Sequence, residues 1–513
     1  MLLERAISLK TFNNDTICYM KNYKHNILFF GMAVALAGCM VGPDYVEPSV
    51  GALESDLKAE HFFRDEGLWK EAVPADSLPK GDWWSVFGDA QLDSLLKQCR
   101  ENNPNLSAAF YRVEQARENA RMEKSQLYPW LSGNGSFETV NPSKNVAQSS
   151  GSYEKWTTGF GLTWDLDLFG RIRSILEADI ADAQAELDAY NNLILSMQTS
   201  VANSYFTIRQ YRSEIELLDR TLNVRKEQTD LVRRRVELDF ASELDLQRAI
   251  QQECDAAAQL AALQRSLALE KNNIAILVGT TPSKLNIKIE PLGEVLPKLP
   301  AAVPSQLLER RPDIAAAERA VYAANARIGA AHAGYFPTVS ISANTDLSAN
   351  KIEKLVNSSS FAWGISPQIY IPIFQAGRTY AQKQVALAAH KETLENYKAV
   401  VLNAIGEVEN ALSEINNLRV EYKKRIDVTN ASLKVQELTI RQYELGFVDY
   451  FSVSDAQRQA LIDEREQIAL RGSRFRACVN LIAAIGGGWQ LNDEEQREAL
   501  EPKLEDNLLV YPQ

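Results

Sequence analysis

The feature that most constrains the fold is an abrupt change of pattern at Gly170. Between Phe160 and Leu168, apolar residues alternate with Gly, Thr and Asp, the period-two pattern of a β-strand with one apolar and one polar face. After Gly170, neither Gly nor Pro occurs from Arg171 to Val278, and strong helix formers dominate. A strand that can face lipid on one side and water on the other therefore leads directly into helix.

The first helix is predicted to run from about Ile172 to Leu238. At about 1.5 Å per residue it spans roughly 100 Å, and apolar residues recur at steps of three and four along it. No compact domain needs a helix of this length, so it must pack lengthwise against other helices. After a short tip, Ser242 with Asp245 three residues later predicts a capping box that starts a returning helix, which ends at Gly279.

The same succession of elements occurs twice in the chain. Pro104 and Pro129 are matched by Pro312 and Pro337, each 208 residues later. The repeated unit is helix, strand, loop, strand, long helix, tip and returning helix. Further matches at an offset of 207 residues are Glu237 with Glu444, Leu238 with Leu445, Ser242 with Asp449, and Gly279 with Gly486. The predicted divisions are a signal peptide (1–38), an extended, irregular segment (39–88), a first repeat (89–279), a linker (280–303), a second repeat (304–488) and a tail (489–513).

Two strands per repeat give four per chain, which cannot close a barrel. Because an open sheet edge is not tolerated in lipid, the chain must oligomerise. Three copies, with twelve strands, are the smallest number that leaves a lumen. The predicted fold class is an α+β membrane protein, a trimeric 12-stranded outer-membrane β-barrel continued by a long α-helical barrel. The predicted strands are about Leu131–Val140, Trp156–Phe169, Thr338–Leu347 and Phe361–Phe374.

The N-terminus has the pattern of a secretion signal. A basic stretch precedes the apolar run Ile27–Ala37, which is too short to span a bilayer. The small residues before Cys39 resemble a bacterial lipobox, in which this cysteine is lipidated and becomes the first mature residue. Residues 1–19 would then be an upstream mis-start, and Met40 after the cysteine favours sorting to the outer membrane. The alternative is an ordinary signal with a chance cysteine at its end.

Composition excludes several classes of function. A net charge of −12 and a pI near 5.2 argue against a nucleic-acid partner, and the arginine run 233–235 is isolated among acidic residues. The four histidines lie far apart, so no metal site is expected. No phosphate loop or nucleophile motif is present, so neither an enzyme nor a cofactor is predicted. Cys99, Cys254 and Cys478 are expected to pack as small apolar residues.

Together, three features resemble the TolC/OprM outer membrane factors, in particular their lipoprotein (NodT-type) branch. They are the lipobox followed by VGPDY, the doubled strand–helix unit, and the tip sequences Arg235–Ala249 and Gln442–Gln457. The resemblance implies a homotrimeric efflux duct in outer membrane lipid, docked on a periplasmic adaptor (membrane fusion protein) and an inner-membrane pump, usually of the RND type. The alternatives are the duct of a type I protein secretion system and a periplasmic adaptor lipoprotein.

The resemblance also implies roles for residues at the tips. In that family the tips coil inward and close the periplasmic mouth. Asp245 and Asp455 fall on acidic positions of the constriction, and Tyr443 on a tyrosine that helps to hold the closed state. The alternatives are that Asp245 only caps its helix and that Asp455 lies on a solvated face. Val448 and Ser452 replace an arginine and an aspartate that the family can carry there, so a different latch is expected.

The two tip loops resemble the segments that meet the adaptor. Their aromatic residues are expected to be exposed apolar contacts, with buried tip aromatics as the alternative. The adaptor-contacting residues implied by the resemblance are Phe240, Ala241, Ser242, Phe447, Val448 and Asp449.

Overall fold

The computed structural model describes residues 40–46, 69–71, 83–141, 152–297, 299–301 and 311–487. Cys39, the signal region and the tail from 489 lie outside these ranges. The first repeat contains α1 (Ala90–Asn102), α2 (Pro104–Ser125), β1 (Trp130–Val140), β2 (Tyr153–Leu166), α3 (Arg171–Glu237) and α4 (Glu243–Leu277). The second contains α5 (Pro312–Ala333), β3 (Thr338–Ala349), β4 (Phe361–Tyr370), α6 (Arg378–Glu444) and α7 (Tyr450–Ala484). Two short strands, Trp69–Glu71 and Leu299–Ala301, form a separate parallel pair.

The internal repeat predicted from the sequence is confirmed. Helices α2 and α5 both have 22 residues, α3 and α6 both have 67, and α4 and α7 both have 35. Each long helix is preceded by a glycine in the left-handed region, Gly170 with φ 77° and Gly377 with φ 86°. Because glycine has no Cβ, the chain turns from strand into helix at these positions without steric cost.

The four long strands form one antiparallel sheet in the order β1–β2–β3–β4. The central pair, β2 with β3, joins the two repeats, with Gly161 opposite Asn344. Within the described chain, β1 and β4 each have one edge without a partner. One chain therefore supplies a four-stranded segment with two open edges.

Two predicted strands extended too far at their C-terminal ends, while β2 begins earlier than predicted, at Tyr153, and β3 ends later, at Ala349. Strand β2 ends at Leu166 rather than Phe169, because Asp167 turns to accept the backbone N–H groups of Ile172 and Arg173, at 3.0 and 2.9 Å, and so caps α3. Strand β4 ends at Tyr370 rather than Phe374. Tyr370 lies opposite Thr338, the first residue of β3, so the residues beyond it have no strand to pair with in one chain.

The largest apolar core lies where α1 and the linker pack on the middle of α3 and the end of α7. Phe206 of α3 stacks on Phe475 of α7 with ring centroids 5.0 Å apart. Trp83 and Trp84, 1% and 2% exposed, insert beside them from a 3₁₀ turn, Trp83–Phe87. The end of the predicted extended, irregular segment therefore forms a short 3₁₀ turn, and burying two indole rings fixes it against the helices.

Helix α3 is the central helix of the chain and packs along α2, α4, α5 and α7. Among the described residues, no helix combines the length and apolar character needed to cross a membrane. Cys99 and Cys478 are buried as predicted, and burial raises their pKa values to about 11 and about 12. The prediction was wrong for Cys254, which lies exposed on α4 because only one face of that helix packs against its neighbours.

The helix tips as a candidate functional site

The two helical hairpins, α3–α4 and α6–α7, end in tips of matching construction. Each tip turns through a residue in the left-handed region, Asp239 with φ 59° in the first and Gly446 with φ 79° in the second. These residues are 207 positions apart, the offset of the repeat. Aspartate is one of the few non-glycine residues that adopts this conformation readily, so both sequences permit the same sharp reversal.

The returning helices are capped by the same two residue types in exchanged positions. In α4, Ser242 is the N-cap and Asp245 completes the predicted capping box, with the Asp245 N–H donating to Ser242 Oγ at 3.2 Å. In α7, Asp449 is the N-cap and accepts from the Ser452 backbone at 3.1 Å and from its hydroxyl at 2.8 Å. These hydrogen bonds from Ser452 hold the pKa of Asp449 below its ordinary value. Ser452 is therefore part of the N-cap of α7.

A contact between the repeats joins the ends of the two long helices. Arg235 of α3 donates from Nη1 to the Tyr443 hydroxyl of α6 at 3.3 Å, and its guanidinium lies 5.5 Å from the centre of the Tyr443 ring. The Tyr443 ring in turn lies 5.7 Å from Tyr450. Arg235 was not predicted as a site residue. The arginine run was visible in the sequence, but nothing showed which arginine faces the second repeat.

A second contact joins the returning helices. Gln252 of α4 donates from Nε2 to the Ser454 hydroxyl of α7 at 2.6 Å. The buried Arg225 of α3 donates to the backbone carbonyl of Gln252 at 2.6 Å. Burial lowers the pKa of Arg225. Nearby, the guanidinium of Arg248 lies 5.0 Å from the ring of Phe451. The two hairpins are therefore joined at the tips by polar and cation–π contacts beside a small apolar cluster of Val232, Ala249 and Tyr450.

The predicted acidic residues lie on different helices and each faces an arginine of its own helix. Asp245 is half-buried and lies 3.9 Å from Arg248. Asp455, with 54% of its side chain exposed, accepts from Arg458 at 2.6 Å. In the described part of one chain, no hydrogen bond or ion pair joins Asp245 to Asp455. Any ring of carboxylates must therefore come from several copies.

The tip aromatics are exposed in a single chain. Phe240 is 81% and Phe447 78% exposed, and Leu238 and Leu445 beside them are each 65% exposed. The described residues contain no group of three or more His, Cys, Asp or Glu side chains that could hold a metal ion. The tips therefore present apolar surface to solvent beside charged caps.

Comparison with known proteins identifies the family. The model of the family described as outer membrane efflux protein matches residues 95–280 and 303–487, one match for each repeat. The chain belongs to the outer membrane efflux protein family. The cation efflux system protein CusC of Escherichia coli is 30% identical over 469 residues, which cover 90% of this chain and 99% of CusC. The toluene efflux pump outer membrane protein TtgC of Pseudomonas putida is 29% identical over 476 residues, covering 91% of this chain and 97% of TtgC.

Among solved structures, the outer-membrane channel OprN has the same fold. It superposes with a TM-score of 0.81 at 28% identity, over 88% of this chain and all of OprN. The predicted family, fold class and outer-membrane location are confirmed, as is the function of an outer membrane channel of an efflux system. The four-stranded sheet also distinguishes this outer membrane efflux protein from an adaptor lipoprotein, which was predicted to lack such strands.

Proposed function

We propose that three copies of the chain close a 12-stranded barrel and a helical duct, which exports small molecules from an inner-membrane pump of the RND type through a periplasmic adaptor. The observation that carries the proposal is the sheet with two open edges and one strongly apolar face. On β4, Trp363, Ile365 and Ile369 are 69%, 63% and 67% exposed in a single chain. Such a face is expected to contact lipid.

The tips are proposed to form the periplasmic gate. Asp245, Asp455 and Tyr443 lie where the family pattern puts the constriction and its latch. With Val448 in place of the arginine that the family can carry, the contact between Arg235 and Tyr443 supplies a basic latch from the other repeat. Threefold symmetry would turn each aspartate into a ring of three carboxylates, which favours cations at the mouth.

The exposed tip residues are proposed to bind the adaptor. Phe240 and Phe447 supply apolar contacts, and the residues that follow them in each tip, Ala241, Ser242, Val448 and Asp449, complete the proposed contact surface. Cys39 is proposed to carry the lipid. CusC is named for cations and TtgC for toluene although both resemble this chain equally well, so we propose that the pump selects the cargo.

Two measurements test this function. Electron microscopy of the detergent-purified protein should show a hollow threefold cylinder well over about 100 Å long, the length of the long helices; a solid rod would contradict it. In planar bilayers, Asp455→Asn should reduce the preference for cations. Asp427→Asn is the control, because Asp427 is also an exposed carboxylate paired with a basic residue three positions away, Lys424, but lies far from the tips. Unchanged selectivity in Asp455→Asn would refute the acidic ring.

A further inference from the structure

The second long helix carries two neighbouring positive charges where the first carries an ion pair. In α3, Arg212 lies one turn from Glu216, with Nε 3.1 Å from Oε1. The equivalent residues of α6, 207 positions later, are Arg419 and Lys423. An acidic residue of the first repeat is thus replaced by a basic one in the second, and the charges at this level of α6 no longer cancel.

Two arginines of α7 add to this charge. The guanidinium of Arg474 lies 4.5 Å from the centre of the Tyr422 ring of α6. Arg471, one turn away, has 17% of its side chain exposed and lies 3.6 Å from Glu294 of the linker. Burial lowers the pKa of Arg474, and the nearby charge of Arg419 lowers it further. We refer to four residues as the basic cluster: Arg419, Lys423, Arg471 and Arg474.

The cluster lacks the acidic partners that arginines have elsewhere on the surface. Arg458, for example, binds Asp455 three positions away at 2.6 Å. None of the residues three or four positions from Arg419 or Arg474 is acidic. In the described part of the chain, neither of these two arginines has an ion pair or a hydrogen bond with an acidic group. Because gathered like charges repel one another, this surface favours a ligand with several negative charges.

The repeat shows that this surface is open to such a ligand. Helix α3 is flanked by α4 on one side and by α5 and α7 on the other. The side chains of Arg212 and Glu216 nevertheless stay 42% and 36% exposed, so they lie on a face that neighbouring helices do not cover. Arg419 and Lys423 occupy the same face of α6, and Lys423 is exposed.

The chain leaves both returning helices by the same turn. After α4, the Thr280 N–H donates to the Ala275 carbonyl at 2.8 Å, and after α7 the Gly487 N–H donates to the Ile482 carbonyl at 2.8 Å. These bonds, which span five residues, turn the chain off the helix axis. The two pairs are again 207 positions apart. The chain after α7 therefore starts in the direction that the linker takes after α4.

The linker shows where that direction leads. It passes along α3, where the Leu292 N–H donates to Ser213 Oγ at 2.8 Å and the Pro291 carbonyl accepts from Arg209 at 2.9 Å. On the equivalent path, residues 498 and 499 would pass positions 416 and 420 of α6, which flank Arg419. The residues just before 498 would then lie beside the basic cluster.

The sequence at those positions has the charge that the cluster lacks. Residues 489–513 include seven acidic and two basic residues, and three acidic residues are consecutive at Asp493, Glu494 and Glu495. We propose that this acidic stretch, residues 493–495, binds the basic cluster of the same chain. The linker is held to α3 partly by apolar residues, Ile287 and Leu292, whereas the tail is held to α6 and α7 by charge. The inference does not depend on the proposed duct, because the contact lies within one chain.

Zero-length cross-linking in the purified full chain tests the contact. A carbodiimide joins an amine to a carboxylate only where the two groups touch, and Lys423 supplies the amine of the basic cluster. Mass spectrometry should find Lys423 linked to the acidic stretch. Lys423→Arg keeps the charge but removes the amine, so the link should disappear. Lys424→Arg is the matched control, since Lys424 lies 3.9 Å from Asp427 of its own helix and its replacement should leave the link unchanged.

Exchange of the charges tests whether the contact is electrostatic. Lys423→Glu rebuilds next to Arg419 the ion pair of the first repeat, so the fold should hold while the link is lost. Adding Glu494→Lys should restore the link with amine and carboxylate exchanged. Trypsin should cut after Arg497 about two- to five-fold faster in Lys423→Glu than in the unsubstituted protein, as for the loss of one exposed ion pair. The double variant should return to the original rate.

Isotope labelling shows which chain supplies the acidic stretch. In a mixture of light and heavy chains, the link should join residues of the same label. Links between the two labels would overturn the assignment to the same chain. Lys398 and Glu395, in contact at 2.7 Å, provide the positive control for the reaction. If these two residues are linked while Lys423 is not linked to the acidic stretch, the proposal is overturned.

Discussion

At the scale of single residues, the contact between Arg235 and Tyr443 is the one most open to test. Arg235→Gln removes both the hydrogen bond and the cation–π contact, while Tyr443→Phe removes only the hydrogen bond. With about 1 kcal/mol per hydrogen bond, each lost contact should favour the open mouth by about five-fold. Single-channel recording should therefore show more open events in Arg235→Gln than in Tyr443→Phe, and more in both than in the unsubstituted protein.

Arg233 provides the control for that experiment. It belongs to the same arginine run, but in the described part of the chain its ion pair is with Asp230 of its own helix, at 2.6 Å, with about half of its side chain exposed. Arg233→Gln makes the same change of charge without touching the second repeat. Equal effects of the two glutamine variants would show that charge alone, rather than the contact between repeats, controls the mouth.

The N-cap of α7 predicts that the stability of the start of this helix depends on pH. The pKa of Asp449 is held below its ordinary value of 3.8 by hydrogen bonds from Ser452. A group whose pKa falls on folding contributes stability above its unfolded pKa and loses it as the pH falls through the folded pKa. Hydrogen exchange at the start of α7, corrected for the intrinsic rate, should therefore quicken below about pH 4.

An N-cap residue that cannot titrate tests whether Asp449 causes this dependence on pH. Asp449→Asn keeps a side chain that can accept from Ser452 but cannot titrate. Its exchange at the start of α7 should stay constant through the same acidic range. A parallel acid response in the asparagine variant would place the titrating group elsewhere.

Some site residues could be predicted from the local sequence, whereas others could not, because their contacts depend on long-range geometry. Ser242 and Asp245 lie three residues apart, so their capping box follows from the sequence alone. Arg235 and Gln252 make their contacts with residues 208 and 202 positions away. No local pattern encodes such pairs, because they depend on how the two hairpins lie against each other.

At the scale of elements, the lengths of the helices were predictable because glycine and proline mark their ends. Gly170 and Gly279 bound the first hairpin, and the structure places the helix ends within one or two residues of the prediction. The strand ends were not predictable in the same way. Where β4 stops is decided by Thr338, the last partner that β3 offers, which is a property of the pairing rather than of the strand itself.

Packing between α3 and α7 gives a prediction at this scale. A Cβ at Gly472 of α7 would overlap the amide of Gln210, which also accepts from Arg476 at 2.8 Å and donates to Glu214 at 3.0 Å. Gly472→Ala should therefore destabilise the protein, by about 1–3 kcal/mol as for other overpacked sites, although alanine favours helix. Thermal unfolding should show a lowered midpoint.

The same change from glycine to alanine at Gly406 is expected to have the opposite effect on stability. It lies inside α6, where an added Cβ meets nothing within 4 Å. Gly406→Ala should raise stability by up to about 1 kcal/mol through helix propensity alone. If both alanine variants were more stable than the unsubstituted protein, the close contact at Gly472 would not be destabilising.

At the scale of the whole molecule, the chain is incomplete by itself, since its sheet has two open edges and α6 exposes an apolar face. Ile373, 93% exposed after β4, lies where partner and lipid would meet it. Ile373→Asp would place a charge there, a substitution that lipid-facing positions of a barrel tolerate poorly. Since each trimer carries three copies, the fraction of trimer in size-exclusion chromatography should fall several-fold.

Val356→Asp makes the same kind of change at a residue 88% exposed between β3 and β4, outside both strands, and should leave assembly intact. Equal loss of trimer in the two variants would mean that any added charge disrupts the chain, and full assembly of Ile373→Asp would show that this edge is not covered.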